Sequence, residues 1–113
     1  MPPSPGNRPS IAATIITLNE EQNLPRCLES LRWVDEIIVV DTNSADRTQD
    51  IAKSFGARVI NEKWRGYGAQ KNFAMEQCKS DWVLNIDADE TVTPELRAEI
   101  EAELTSNRPA AGY

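Results

Sequence analysis

No histidine occurs anywhere in the 113 residues. Any mechanism that needs a histidine base within this chain is therefore excluded. Cysteine occurs only as Cys27 and Cys78, far apart and without a C-x-x-C pair. Thiolate zinc sites and thioredoxin-like chemistry fall away, and the two thiols read as buried apolar groups in a reducing compartment. Basic residues are outnumbered, 12 Lys and Arg against 18 Asp and Glu, for a net charge of -6. Nucleic-acid binding needs a basic face, so that partner is not expected. No apolar run approaches the length of a membrane span. The opening Met1 to Ser10 carries Pro2, Pro3, Pro5, Gly6 and Pro9. It lacks the apolar core of a signal peptide and reads as a disordered lead-in, 1–10, to a cytoplasmic protein. Neither G-x-G-x-x-G nor G-x-x-x-x-G-K-[ST] is present, so the dinucleotide and P-loop fingerprints are missing.

What remains is ordinary for a globular protein: 40% hydrophobic and 27% charged residues. The length fits one domain that buries roughly 60–70% of its unfolded surface. Residues 11–17, IAATIIT, form a continuous β-branched run and predict a strand covered on both faces. Leu24, Cys27, Leu28 and Leu31 recur at helical spacing, with Pro25 in the first turn, and predict a helix over 24–32. A second strand, 36–40, ends at Asp41. Ser44 then reads as the N-cap of a helix through Phe55, closed by Gly56. A short strand over 57–61, a loop over 62–68 and a helix over 69–78 with Ala69 and Phe73 on one side come next. Trp82 to Ile86 predicts a fourth strand. Thr93-Pro94 opens a last helix marked by Leu96, Ile100 and Leu104 and stopped at Asn107-Arg108-Pro109. The order β-α-β-α-β-α-β-α implies an α/β fold, a mostly parallel sheet with helices on both faces.

The chemistry gathers at strand ends. Asp87-Ala88-Asp89 follows the apolar strand directly, with Glu90 next. Carboxylates are hard oxygen ligands for Mg²⁺ or Mn²⁺, ions that also bind phosphate oxygens. Thr17 with Glu20, and Asp41, stand at two other strand ends, which a parallel sheet brings to one edge, where ligands of such sheets bind. A D-x-D alone is more often a solvated turn acid than a metal site. Its place beside two further polar strand ends argues for a cation that holds a diphosphate. Asp41 either accepts hydrogen bonds from a base or ribose or caps its own loop. Glu20 is either a ligand contact or a first-turn helix acid. Lys71, and Arg65 before it, are the cations nearest in sequence that could offset a diphosphate's charge, or else solvent-facing residues. Gly66 and Gly68 admit a close backbone approach or simply turn the chain. Trp33, Trp64 and Trp82 read as packing residues, Trp64 alternatively as a sugar platform.

Four ordered blocks carry a family resemblance: residues 14–21, TIITLNEE; 36–46, EIIVVDTNSAD; 68–72, GAQKN; and 84–90, LNIDADE. Together they resemble family 2 glycosyltransferases over residues 11–104, and among these the lipopolysaccharide core β-1,4-glucosyltransferase-like enzymes of bacteria. The resemblance implies the GT-A fold, a nucleotide-diphosphate sugar donor (UDP-linked), Mg²⁺ or Mn²⁺, and inverting transfer to a glycan or lipid-linked acceptor. By position, Asp41 would contact the uracil, and Thr17 and Glu20 would lie by the nucleoside. Asp87 would lie near the ribose and donor sugar and beside the metal, Asp89 would bind the metal, and Lys71 would sit at a basic position.

Members of the family place the acidic general base after the D-x-D, in a second half. The expectation is thus a truncated, donor-binding half, 11–113, with the base beyond Tyr113 and no catalytic residue in the chain, inactive alone. It would lie in the cytoplasm, at the inner membrane face in a longer protein, and self-associate through an open edge of the Asp87 strand. Two other readings stand beside it. A metal-dependent nucleotidyltransferase would want a glycine-rich loop after the first strand, where this chain has Leu18-Asn19-Glu20-Glu21. A non-catalytic nucleotide-binding or interaction module would show no shift in melting temperature with nucleotide.

Overall fold

The computed structural model describes residues 9–105. Eight elements alternate through them: β1 (Ile11–Thr17), α1 (Leu24–Glu29), β2 (Glu36–Asp41), α2 (Thr48–Ser54), β3 (Arg58–Asn61), α3 (Tyr67–Glu76), β4 (Trp82–Asn85) and α4 (Pro94–Leu104). Every strand pair is parallel, in the order β3-β2-β1-β4. The expected α/β architecture is the one found. β4 is the last strand on its side among the described residues.

The order explains where the helices go. The chain steps from β1 to β2 to β3, then returns past β1 to reach β4. Crossovers of one hand that reverse direction must change face. Accordingly Ile11, Ala13, Ile15 and Val39 pack with residues of α1, α2 and α4 in the larger core, whereas Ile38 and Val40 meet Ala74, and beside it Phe73, of α3 on the other face. The reversal also creates a switch point between β1 and β4, where open α/β sheets take their ligands.

Several boundaries moved for identifiable reasons. α1 stops at Glu29, not at 32, because tight-turn bonds take over: Leu31 N–H donates to Leu28 O (3.0 Å) and Val34 N–H to Leu31 O (3.1 Å). The Ser30 hydroxyl caps Cys27 O at 2.7 Å, and Leu31 is still buried. Ser44 does not cap α2; it turns back to Asp41, and the helix begins at Thr48, whose N–H donates to Asp46 Oδ1 (2.9 Å). Gly56 does close α2, at φ +83°.

The buried side of α3 is Gln70 and Ala74; Ala69 is exposed. Thr93 caps α4 as expected, accepting from Leu96 N–H at 3.1 Å, but Leu96 itself is exposed while Ile100 and Leu104 are buried. Ser10, assigned to the lead-in, is ordered: its N–H donates to Asp81 Oδ2 (3.1 Å) and its carbonyl accepts from Trp82 N–H (3.0 Å). The expected stop at Asn107-Arg108-Pro109 and residues 1–8 lie outside the described residues.

Candidate functional site

Strand alternation builds the site. Side chains on a strand alternate between faces. Register pairs Ala12 with Val83 and Thr14 with Asn85. Even positions of β1 and odd positions of β4 therefore share the face that carries α3. Burial goes on alternating past the end of β4: Ile86 and Ala88 join the larger core, and Asp87 and Asp89 are exposed. The residue between the two acids is small because it is a core residue, at 3% exposure.

A cleft of about 310 Å³ occupies the switch point. Its floor is Thr14, Ile16 and Asn85, its walls Glu20, Tyr67 and Lys71, and its far side Asp87 and Asp89. Thus four of the expected residues, Glu20, Lys71, Asp87 and Asp89, meet in one place. The side-chain oxygens of Asp87 and Asp89 receive no hydrogen bond or ion pair from the described residues. The turn that carries them is fixed instead by backbone: Glu90 N–H donates to Asp87 O (2.9 Å), and Asp87 N–H to Glu90 Oε1 (3.0 Å). Free carboxylates on a fixed turn are suited to an external cation. No cluster of three or more Asp, Glu, Cys or His able to hold a metal exists among the described residues. Two carboxylates leave most positions of a six-coordinate Mg²⁺ or Mn²⁺ to other oxygens, which is how Mg²⁺ sits between one or two carboxylates and substrate phosphates. The donor set fits such an ion only together with a phosphate ligand.

The acids also mark their surroundings. The Cys27 thiol, within 3.7 Å of Asp87 O, is pushed up to about 12 by burial and then by the carboxylates of Glu90, Asp87, Asp89 and Glu20.

Thr17 and Asp41 stand together, and of the two roles expected of Asp41 the structure shows the capping of its own loop. They are in register on β1 and β2, at the edge predicted, but both are buried and neither lines the cleft. Asp41 accepts four hydrogen bonds from Thr17 Oγ1 (2.5 Å), Ser44 Oγ (2.5 Å), Ser44 N–H (2.8 Å) and Gln49 Nε2 (2.8 Å). In this arrangement the carboxylate organises the loop after β2. That loop is stapled to the one after β1: Asn19 N–H donates to Ser44 Oγ (2.8 Å), Ala45 N–H to Asn19 Oδ1 (2.8 Å), and Glu20 N–H to Thr48 Oγ1 (2.9 Å). Asn19 and Asn43 adopt φ of +54° and +52°, the left-handed region Asn tolerates. Glu20 is thereby held at the cleft wall. Against desolvation, which would raise it, bonds from the Thr48 side chain and from the Thr48 and Glu21 backbone hold Asp46 below the usual carboxylate range.

Tyr67 and Gln70 were not singled out as site residues. Tyr67 stands four residues before Lys71, so a helix begun at 67 rather than 69 would have put both on one face.

The model of the family described as Glycosyl transferase family 2 matches residues 13–111. The chain is 52% identical over 92 residues to an uncharacterized glycosyltransferase of Rickettsia typhi, covering 80% of this chain and 32% of that protein. It is 41% identical over 108 residues to the lipopolysaccharide core biosynthesis glycosyltransferase LpsC of Rhizobium meliloti, covering 91% of this chain and 40% of that one. It thus spans about a third of the length of the first of these relatives. Among solved structures it is similar to glucosyl-3-phosphoglycerate synthase from Mycobacterium tuberculosis in complex with Mn²⁺, uridine diphosphate and glucosyl-3-phosphoglycerate. That likeness has a TM-score of 0.69 at 25% identity, over 88% of this chain and 41% of that one. It is also similar to Staphylococcus aureus TarS, with a TM-score of 0.71 at 26% identity, over 82% of this chain and 19% of that one. No described helix is long and apolar enough to cross a membrane. With its switch-point cleft, its paired acids and a family model matched from residue 13 to 111, the chain belongs to glycosyl transferase family 2.

Proposed function

We propose that this chain is the donor-binding part of an inverting glycosyltransferase. It binds a nucleotide-diphosphate sugar, UDP-linked, through Mg²⁺ or Mn²⁺, for transfer to a lipopolysaccharide or related glycan acceptor. The observation that carries this is the continued alternation past β4, which leaves Asp87 and Asp89 unpaired in the cleft that Lys71 also lines. The bound Mn²⁺ and uridine diphosphate named for the mycobacterial relative, and the lipopolysaccharide role named for the rhizobial one, support the ligand and acceptor classes. Asp89, with Asp87, would hold the ion, which supplies Lewis-acid stabilisation of the leaving diphosphate. Lys71 adds a point charge for the phosphates. Glu20 borders the nucleoside end, and Asp41 with Thr17 holds the loop behind it. The loop after β1 has no glycine, so nothing favours the nucleotidyltransferase reading.

Calorimetry with UDP tests the proposal. Binding is expected with Mn²⁺. Chelation, or Asp89→Asn, should weaken it at least about tenfold, the weight of roughly 1.4 kcal/mol. The melting temperature of the exposed-site variant should not change. UDP binding of equal strength with and without metal would refute it.

A further inference from the structure

The cleft has an aromatic side that the metal and phosphate reading leaves unused. Tyr67 lines the cleft and is 71% exposed. Trp64, 48% exposed, meets it edge-on, with ring centroids 4.9 Å apart and planes at 89°. Rings that serve packing lose their surface to the core; these two keep theirs.

Their position is held by a polar frame. Gln70, fully buried, accepts from Arg65 N–H (3.0 Å) and donates to Lys63 O (3.2 Å) and Thr42 Oγ1 (3.5 Å). These bonds grip the chain on both sides of Trp64 and tie it to Thr42, the residue after Asp41. Gly66, at φ +99°, makes the turn that lets α3 begin at Tyr67. The aromatic pair is therefore anchored beside the end of β2. The two acids emerge from β4, on the far side of β1. Two strand spacings, about 10 Å, separate these sides. Lys71, one helical turn beyond Tyr67, lies along the same wall.

We infer that Tyr67, braced by Trp64, is the stacking surface for the nucleobase of the bound nucleotide. This rests on the donor-site reading above. A nucleoside diphosphate laid across the sheet edge puts its phosphates by Lys71 and the ion on Asp87 and Asp89. Its flat ring then falls toward β2, where the exposed aromatic rings lining or flanking the cleft among the described residues are these two. Tyr67 is a binding residue in this account, and Gln70 a positioning residue that acts through the loop it holds.

The test compares UDP with inorganic pyrophosphate, both with Mn²⁺, by calorimetry. Tyr67→Ala should weaken UDP about tenfold, the order of one lost base–aromatic stack, and leave pyrophosphate unchanged. Tyr67→Phe should keep UDP affinity, because the ring and not the hydroxyl does the stacking. UDP, but not pyrophosphate, should alter tryptophan emission, and Trp64→Phe should abolish that response. An unchanged UDP affinity in Tyr67→Ala, or an equal loss for pyrophosphate, overturns the inference. So does a wild-type chain that binds pyrophosphate as tightly as UDP, though the metal and phosphate site would then survive. Failure of the wild type to bind either ligand with Mn²⁺ would bring down the donor-site reading itself, and this inference with it.

Discussion

Replacing Asp41 by Ala should cost stability before it costs anything else. Its carboxylate is fully buried and accepts from two hydroxyls, one backbone N–H and one amide. Alanine removes every acceptor at once. The two hydroxyls can rotate toward other partners and Gln49 Nε2 keeps Asn61 Oδ1 (3.3 Å), but Ser44 N–H is left facing a void. A buried donor stranded in this way costs about 1–3 kcal/mol, and the lost bonds from the two hydroxyls and the amide add to it, so a total of about 2–4 kcal/mol is expected after relief of the buried charge. For a domain of this size that lowers the melting temperature by about 10–25 °C.

Asn at the same position discriminates the cause. Its carbonyl can replace Oδ2, which accepts from the two fixed donors, while its NH₂ faces Thr17 and Ser44 hydroxyls that can reverse and accept. Asp41→Asn should therefore lose only about 1 kcal/mol. Urea unfolding of the three proteins measures this directly. An alanine variant within about 0.5 kcal/mol of wild type, or an Asn variant as damaged as the alanine one, would refute the account of Asp41 as the knot of its loop.

Ala88 tests the alternation that aims the acids. It points into the core at 3% exposure, so Ala88→Leu should overpack that side by about 1–3 kcal/mol and disturb metal-dependent UDP binding with it; a neutral effect in thermal melts would mean that Asp87 and Asp89 are not aimed by the strand. Burial, then the Glu36 carboxylate, against Arg58, pushes the Cys78 thiol up from 9.0 to about 11. Iodoacetamide labelling of Cys78 mapped by mass spectrometry at pH 8 should be slow when folded and fast in denaturant. Because the folded value is the higher one, the thiol's contribution to stability is complete below pH 9 and is lost as the pH rises through about 11, so rapid native labelling at pH 8 would contradict the burial.

The family, the alternating order of elements and the parallel sheet were legible in the one-dimensional pattern. Continuous β-branched runs of this kind occur where a strand is covered twice, and 11–17 and 36–41 are such runs. The paired acids were legible too, as two carboxylates following an apolar run; the burial of Ala88 between them was not, because it belongs to the turn after β4. Capping by Thr93 and closure at Gly56 depended on the same short-range geometry.

Other features depended on contacts between segments distant in sequence. Ser44 looked like a helix cap, but a buried carboxylate three residues earlier offered it a stronger partner, so the helix began at Thr48 instead. Thr17 and Asp41 sat at the right edge and still ended beneath it, since their partners, Ser44 and Gln49, come from the loop and helix that fold over them. Nothing in the helical pattern marked Gln70; its burial becomes visible only when β2 and the loop at 63–65 close around its amide. Tyr67 joined the cleft for the same reason. Periodicity reports which side of an element is apolar, whereas which buried polar group captures which donor is settled by the distances between elements once the sheet has assembled.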